Sequence, residues 1–246
     1  MTGNGGQARR GRQGHALVWA RQQPSRRPPL TREAIVEAAI TVADAEGLDA
    51  VSLRRVSAEL GARTMSLYSH IASKQDLLDL MLDEILGEFI VPGKIPADWR
   101  AALRGIARQS RATGLRHPWL GALIAQRPRL GPNGIAHAEQ SLAALASLAV
   151  DDQTKRVILT TVDDYTLGRV QREIAALELP KRQGVTDSTW RAEAAAYLER
   201  VVASGEYPYL AGAGGTSIIG EQDPERTFEA GLDLLIAGVA TTVAAG

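Results

Sequence analysis

One short run of this chain offers side chains suited to touching another molecule: Thr64-Met65-Ser66-Leu67-Tyr68-Ser69-His70-Ile71. On a helix of about two turns Leu67 and Ile71, four apart, share the inward face. Thr64, Met65, Ser66, Tyr68 and Ser69 then look outward. Hydroxyls and a phenol suit phosphate oxygens, while a threonine methyl and a methionine suit thymine methyls. Catalytic chemistry has less to work with. His15, His70, His117 and His137 are the only histidines, and none begins an H-E-x-x-H pattern. Asp163 and Asp164 are paired in sequence, but neighbours on a helix point about 100° apart and cannot share one site. No G-x-S-x-G, P-loop or dinucleotide fingerprint occurs. The glycine-rich Gly212-Ala213-Gly214-Gly215 lacks a P-loop lysine and reads as a loop. An enzyme, a metal site and a cofactor are therefore not expected.

The outward residues need a frame, and the flanking sequence supplies one. Ser52 is a good N-cap, and Leu53, Val56, Ser57 and Leu60 follow at helical spacing. Gly61 stands where that helix must stop. Ser73 caps a longer helix, with Asp76 three residues on in a capping-box-like pair. That helix runs from Leu77 through Met81, Ile85 and Phe89 until Val91-Pro92-Gly93 breaks it. Ahead of the pair, Thr31 caps a helix whose Ile35, Ala38, Ala39 and Val42 form one face and whose end is marked by Gly47. Two short helices joined by a Gly-containing turn make a helix-turn-helix, whose second helix enters the DNA major groove. The alternative at this level is a plain pair of core helices.

Charge is unevenly spread. The net charge is zero, with 28 basic and 28 acidic residues. Residues 1–30 nevertheless carry Arg9, Arg10, Arg12, Arg21, Arg26 and Arg27 with no acid, so this leader is +6 and the rest is −6. Residues 31–74 hold five bases against six acids, or −1. The leader, rich in Gly, Arg, Gln and Pro, reads as disordered in the free protein. Two readings stay open for it: a solvated tail or misassigned start, or an arm that tracks phosphates or reaches a minor groove. It has no apolar h-region of a secretory signal, and no later run is expected to span a membrane. Zero cysteine excludes a disulfide scaffold and fits a reducing compartment.

From Thr31 through the long helix the chain resembles the DNA-binding domain of the TetR (tetracycline repressor) family. The resemblance rests on Ala58-Glu59-Leu60-Gly61 in the first motif helix, Leu67-Tyr68-Ser69-His70 in the second, and Lys74-Gln75-Asp76-Leu77-Leu78 after it. It implies that Arg54 reaches a base edge, arginine to guanine being the commonest such contact. It places Thr64, Met65, Ser66, Tyr68, Ser69 and His70 on the reading helix, with Tyr68, His70 and Lys74 at phosphates. Arg63 stands where the archetype carries an acid, and Thr64 and Met65 differ from its base-reading pair, so a different operator is implied.

After residue 93 the pattern is helical throughout, with helices near 98–113, 117–126, 133–148, 152–178, 187–204 and 224–244. Gln126-Arg127-Pro128, Tyr165-Thr166-Leu167-Gly168 and residues 228–238 resemble the tetracycline-repressor type of C-terminal domain. The resemblance implies a homodimer, formed by the Tyr165 helix and the last helix as a four-helix bundle. Phe228, Leu232, Leu235, Ile236 and Val239 form a stripe on that last helix, with Gly231 and Gly238 allowing close approach; such a stripe also serves as intramolecular core. The archetype's drug–magnesium chelate does not carry over, because its ligand positions hold Leu123, Gln126 and Arg172 here, leaving Mg²⁺ no evident anchor. By position, a small-molecule pocket draws on Trp99, Trp119, Leu123, Gln126, Arg127, Asp164, Tyr165 and Arg172, and Arg172 hints at an acidic or carbonyl-rich effector.

The expectation is thus an all-α, cytoplasmic, homodimeric regulator that binds a double-stranded DNA operator and is released by a small-molecule effector. Residues 1–29 form a basic tail, 30–75 the helix-turn-helix domain, and 76–246 the helical ligand-binding and dimerisation domain. A drug-sequestering helical protein with a vestigial reading head is the competing class.

Overall fold

Thr31 caps the first helix by accepting a hydrogen bond from the Ala34 amide (3.1 Å), and helix α1 follows over Arg32–Glu46. The computed structural model describes residues 30–184, 186–214 and 223–245. The basic leader and Gly215 lie outside the described residues. A 3₁₀ turn, Leu48–Ala50, leads to α2 (Leu53–Glu59), α3 (Thr64–Leu67) and α4 (Lys74–Glu88). Then come α5 (Trp99–Arg116), α6 (Leu120–Ile124), α7 (Pro132–Ala144), α8 (Asp152–Gln183), α9 (Asp187–Ala203), α10 (Pro208–Gly212) and α11 (Pro224–Ala245). No strand occurs among the described residues. The short α10 was not expected: Pro208 at its start begins a helix well.

The first core is shared by parts far apart in sequence. Ile35, Ala39 and Val42 of α1, Val56 of α2, Leu67 of α3 and Leu77, Met81 and Ile85 of α4 are buried together with Trp119, Leu120, Leu123 and Ile124. Burying one such large side chain contributes about 1.5–3 kcal/mol, an upper estimate because unfolded chains already bury some surface. The short helix α6 is therefore built into the same core as the first three helices and α4.

A second core joins α5, α8 and α11. Trp99, Leu103, Ile158, Val162, Phe228, Leu232 and Ile236 pack there. Phe228, Leu232 and Ile236 of the predicted interface stripe are thus intramolecular core. Gly231 is likewise explained within one chain, because a Cβ there would run into the Tyr165 hydroxyl. Across the seam, Arg104 pairs with Asp233 (2.8 Å) and Arg108 with Glu229 (2.7 Å). More deeply set, the Arg111 guanidinium grips Glu173 through both oxygens (3.1 and 2.8 Å) and lies 5.1 Å from the Phe228 ring centre.

One sequence expectation needs correction. The segment Pro224–Ala244 is long and apolar enough to cross a membrane, with mean hydropathy 1.4 over its best window. One side of it packs on α5 and α8 through Phe228, Leu232 and Ile236, and Glu229 and Asp233 are ion-paired to α5. Only 17% of the apolar window is buried within one chain.

Candidate nucleic-acid interface

Helix α2 begins at Ser52, whose hydroxyl accepts from the Arg55 amide (3.1 Å). It ends at Gly61, whose φ of 57° few other residues adopt without strain. The Ala62 amide then bonds back to the Ser57 carbonyl (2.8 Å), and the chain turns into α3. Ser57 locks the turn. Its hydroxyl donates to the Arg54 carbonyl (2.8 Å) and so accepts from the Thr64 hydroxyl (2.8 Å). The regular α-helix covers only Thr64–Leu67, one turn rather than two, and hydrogen-bonded turns carry the chain on to Ile71. Leu67 and Ile71 are buried, as their spacing required.

These constraints sort the predicted reading residues. Met65 is 77% exposed and Tyr68 50%. Ser66 and Ser69 also face outward, and His70 is half-buried. The Thr64 hydroxyl is spent on Ser57, so its methyl is what it can present. Ser69 bonds its own turn through the Ser66 carbonyl (2.8 Å), leaving Ser66 the freer hydroxyl. Arg54, Thr64, Tyr68 and Lys74 line one open concavity of about 460 Å³ together with Ser52, Leu53, Ala72 and Ser73. Next to Arg54, Arg55 is neutralised by Glu46 (2.6 Å) and Glu59 (2.9 Å). The Arg55 hydrogen bond holds the Glu46 carboxyl below the usual carboxylate range. Arg54, Arg63 and Lys74 make no ion pair among the described residues. The surface therefore offers cations, a phenol and apolar tips around one hollow, which is what phosphates and base edges require.

Comparison with known proteins decides what this surface belongs to. Residues 35–81 match the family described as "Bacterial regulatory proteins, tetR family", and residues 91–243 match "Tetracyclin repressor-like, C-terminal domain". The chain belongs to the TetR family. It is 41% identical over 204 residues to the HTH-type transcriptional repressor DrrR1 of Streptomyces coeruleorubidus, covering 79% of this chain and 74% of that one. An HTH-type transcriptional regulator of Saccharopolyspora erythraea is 32% identical over 92% of both chains. Among solved structures, ActR of Streptomyces coelicolor in complex with actinorhodin superposes with a TM-score of 0.72 at 31% identity, covering 88% of this chain and 99% of that one. This TetR-family chain is thus a DNA-binding transcriptional regulator.

The regulatory half treats the predicted pocket residues differently. Trp99 is buried in the second core, against which Tyr165 also packs, and the Tyr165 hydroxyl donates to the Phe228 carbonyl (2.8 Å). Trp119 and Leu123 lie in the first core, where Trp119 Nε1 donates to Asp44 (2.6 Å). Arg127 is bound along α4 by Asp79, Gln75 and the Gln75 carbonyl. Gln126, Asp164 and Arg172 are exposed. Trp119 and Leu123 thus belong to the first core, and Trp99 and Tyr165 to the second. Periodicity and position missed the polar groups buried in the interior of α5, α7 and α8: Ser110, Thr113, His137, Ser141 and Thr166. The signal lay in the register. Ser110 falls four after Ile106, and Thr166 four after Val162, both core positions.

His137 is the most telling of these. It is buried, edge-on to Phe89 with ring centres 5.5 Å apart, and its Nε2 has no partner among the described residues, as is true of Ser110 Oγ. Burial pushes its imidazole below the ordinary histidine value; Arg129 adds to this and Asp163 opposes it. A base lowered on folding binds fewer protons folded than unfolded. Its contribution to stability is therefore present above the unfolded value, about 6.5, and is lost as pH falls below it. In urea titrations below pH 6.5, His137→Gln should flatten the acid loss of stability. An unchanged slope would place that loss elsewhere.

Proposed function

We propose that this chain is a repressor that binds a two-fold operator as a homodimer and leaves it when a small molecule binds, acting by binding rather than catalysis, with the chromosome in the cytoplasm. The observation that carries it is the convergence of Arg54, Thr64, Tyr68 and Lys74 on one open hollow, flanked by the exposed Met65 and Ser66. Arg54 and Met65 are proposed to read bases. Arg63, Ser66, Tyr68, Ser69, His70 and Lys74 are proposed to hold phosphates. DrrR1 is named a repressor, and ActR has been crystallised with actinorhodin and with (S)-DNPA. Those names support repression and an effector here. The unpartnered Ser110 and His137 atoms, on the buried sides of α5 and α7, are the groups we assign to receive its polar atoms. An effector changes operator affinity only if it favours a head arrangement that fits the operator less well.

Dimerisation is proposed on the side of α11 that the second core leaves uncovered. Only 17% of the apolar window of α11 is buried in one chain. Leu234 is 76% exposed and a Cβ at Gly238 would meet nothing within 4 Å, while Val157 on α8 is 54% exposed. Leu234→Glu should therefore yield a monomer by sedimentation velocity, with operator binding lost because two heads are needed for two half-sites. A stable Leu234→Glu dimer would move the interface elsewhere.

The leader is proposed as a third part of the DNA contact. The helix-turn-helix segment is itself −1, whereas residues 1–30 are +6. The first turn of α1 lies within electrostatic reach of the reading turn: the Glu33 carboxyl is held low by its own backbone amide and Thr31, with His70 a smaller contributor. Each phosphate neutralised adds about 0.9 to the slope of log K against log salt. Deleting residues 1–29 should therefore reduce that slope by up to about 5 per subunit. An unaltered slope would reduce the leader to a tail.

A further inference from the structure

We infer that Asp44 is a positioning residue that fixes the reading head on the regulatory core, through a polar joint made with His117, Trp119 and Glu88. This rests on the operator-binding reading above and names how that site is held and regulated.

The joint brings four elements together. Asp44, near the end of α1, receives Trp119 Nε1 at 2.6 Å and lies 2.7 Å from His117 Nδ1. Both partners come from the corner between α5 and α6, more than seventy residues away in sequence. The two rings brace each other edge-on, with centres 5.8 Å apart. His117 Nε2 faces Glu88 at 3.5 Å, and Glu88 closes α4. The Glu88 side chain also holds Arg116, while its carbonyl accepts from Gln109 (2.6 Å) and Thr113 (3.3 Å) of α5. Asp44 thus speaks for α1, Glu88 for α4, and the 116–119 corner for the core.

Packing alone would not fix this geometry. The apolar contacts of Trp119, Leu120 and Leu123 with α1 and α4 are non-directional, so they tolerate sliding. Two N–H groups converging on one carboxylate oxygen do not. Trp119 is 6% exposed and His117 7%, so a shift that broke the joint would strand polar atoms away from water. The arrangement has one seated state and a penalised unseated one. Any movement of the α5–α6 corner, at the end of the helix that carries Ser110, is thereby carried to the reading head.

The cysteine-free chain allows a direct test. Spin labels at Met65→Cys, on the exposed reading turn, and Ile135→Cys, on the exposed side of α7, report head-to-core distance in full-length protein diluted with excess unlabelled chain. The parent should give one narrow distribution. Asp44→Ala and Trp119→Phe should broaden it and weaken operator binding about tenfold, the loss expected for one hydrogen bond to a charged group. Asp44→Asn, which keeps an oxygen acceptor, should recover most of both. Asp44→Ala leaves the Trp119 indole in place, so it separates the hydrogen bond from the packing of that ring. A distribution as narrow in Asp44→Ala as in the parent would overturn the inference. Failure of the parent to bind any operator would instead strike at the function, since the distance measurement uses no DNA.

Discussion

Replacing Arg54, Tyr68 and Lys74 together by alanine should abolish selective operator binding and leave the fold intact. All three line the same hollow beside the reading turn. Arg54 and Lys74 have no acidic partner among the described residues, so no internal bond is lost with them. A base-reading arginine and two phosphate contacts are each worth about 1–3 kcal/mol, and a dimer carries each twice. The combined loss should exceed about a hundredfold in affinity. Thermal unfolding should hardly move, because exposed substitutions away from caps and cores shift stability little. The Arg54→Ala change alone should relax preference at one base pair, whereas Lys74→Ala should weaken all duplexes alike and lower the salt slope by about 1. The triple variant also separates the competing class. A sequestering protein would bind small molecules equally well before and after the change, and its parent would show no selective DNA binding to lose.

The second large effect is on stability. Glu173→Ala should destabilise the regulatory half by about 3–5 kcal/mol, because it leaves the Arg111 guanidinium buried without its carboxylate. The side chains are 17% and 8% exposed, and both carboxylate oxygens are engaged. The double change Arg111→Met with Glu173→Leu should lie much closer to the parent, since removing both charges removes the desolvation burden along with the attraction. The neighbouring Arg104–Asp233 and Arg108–Glu229 pairs are more open, and breaking either should alter stability by no more than about 1 kcal/mol. Guanidinium titration of the four variants checks the ranking. A Glu173→Ala protein as stable as Arg108→Ala would refute the assigned burial.

Legibility in the sequence followed the range of the interactions. Ser52, Gly61 and Ser73 act within a few residues of themselves, and each does in the fold what its position announced. The inward pair Leu67 and Ile71 was equally clear, because a four-residue spacing is a local fact. Longer-range matters were not readable. The apolar stripe on α11 shows that a face must be covered, yet periodicity is silent on what covers it, and Phe228, Leu232 and Ile236 turned out to face their own chain. The bond from the Trp119 indole nitrogen to Asp44, 75 residues away, has no local signal. Residue type alone could not predict that Thr64 would give its hydroxyl to Ser57 and keep only a methyl for DNA. Buried polar side chains such as Ser110 and His137 look ordinary in sequence, and only the packing of α5 and α7 makes them conspicuous.

The most direct test of the account is fluorescence anisotropy of the full-length protein on the intergenic duplex beside its own gene, against a shuffled duplex of equal length and composition. Titrations over a salt series should show tight binding to the first, weak binding to the second, and a steep salt slope for both. Equal and weak affinity for the two duplexes, and for duplexes recovered by selection from the whole genome, would contradict a sequence-specific regulator and leave ligand binding as the chain's work.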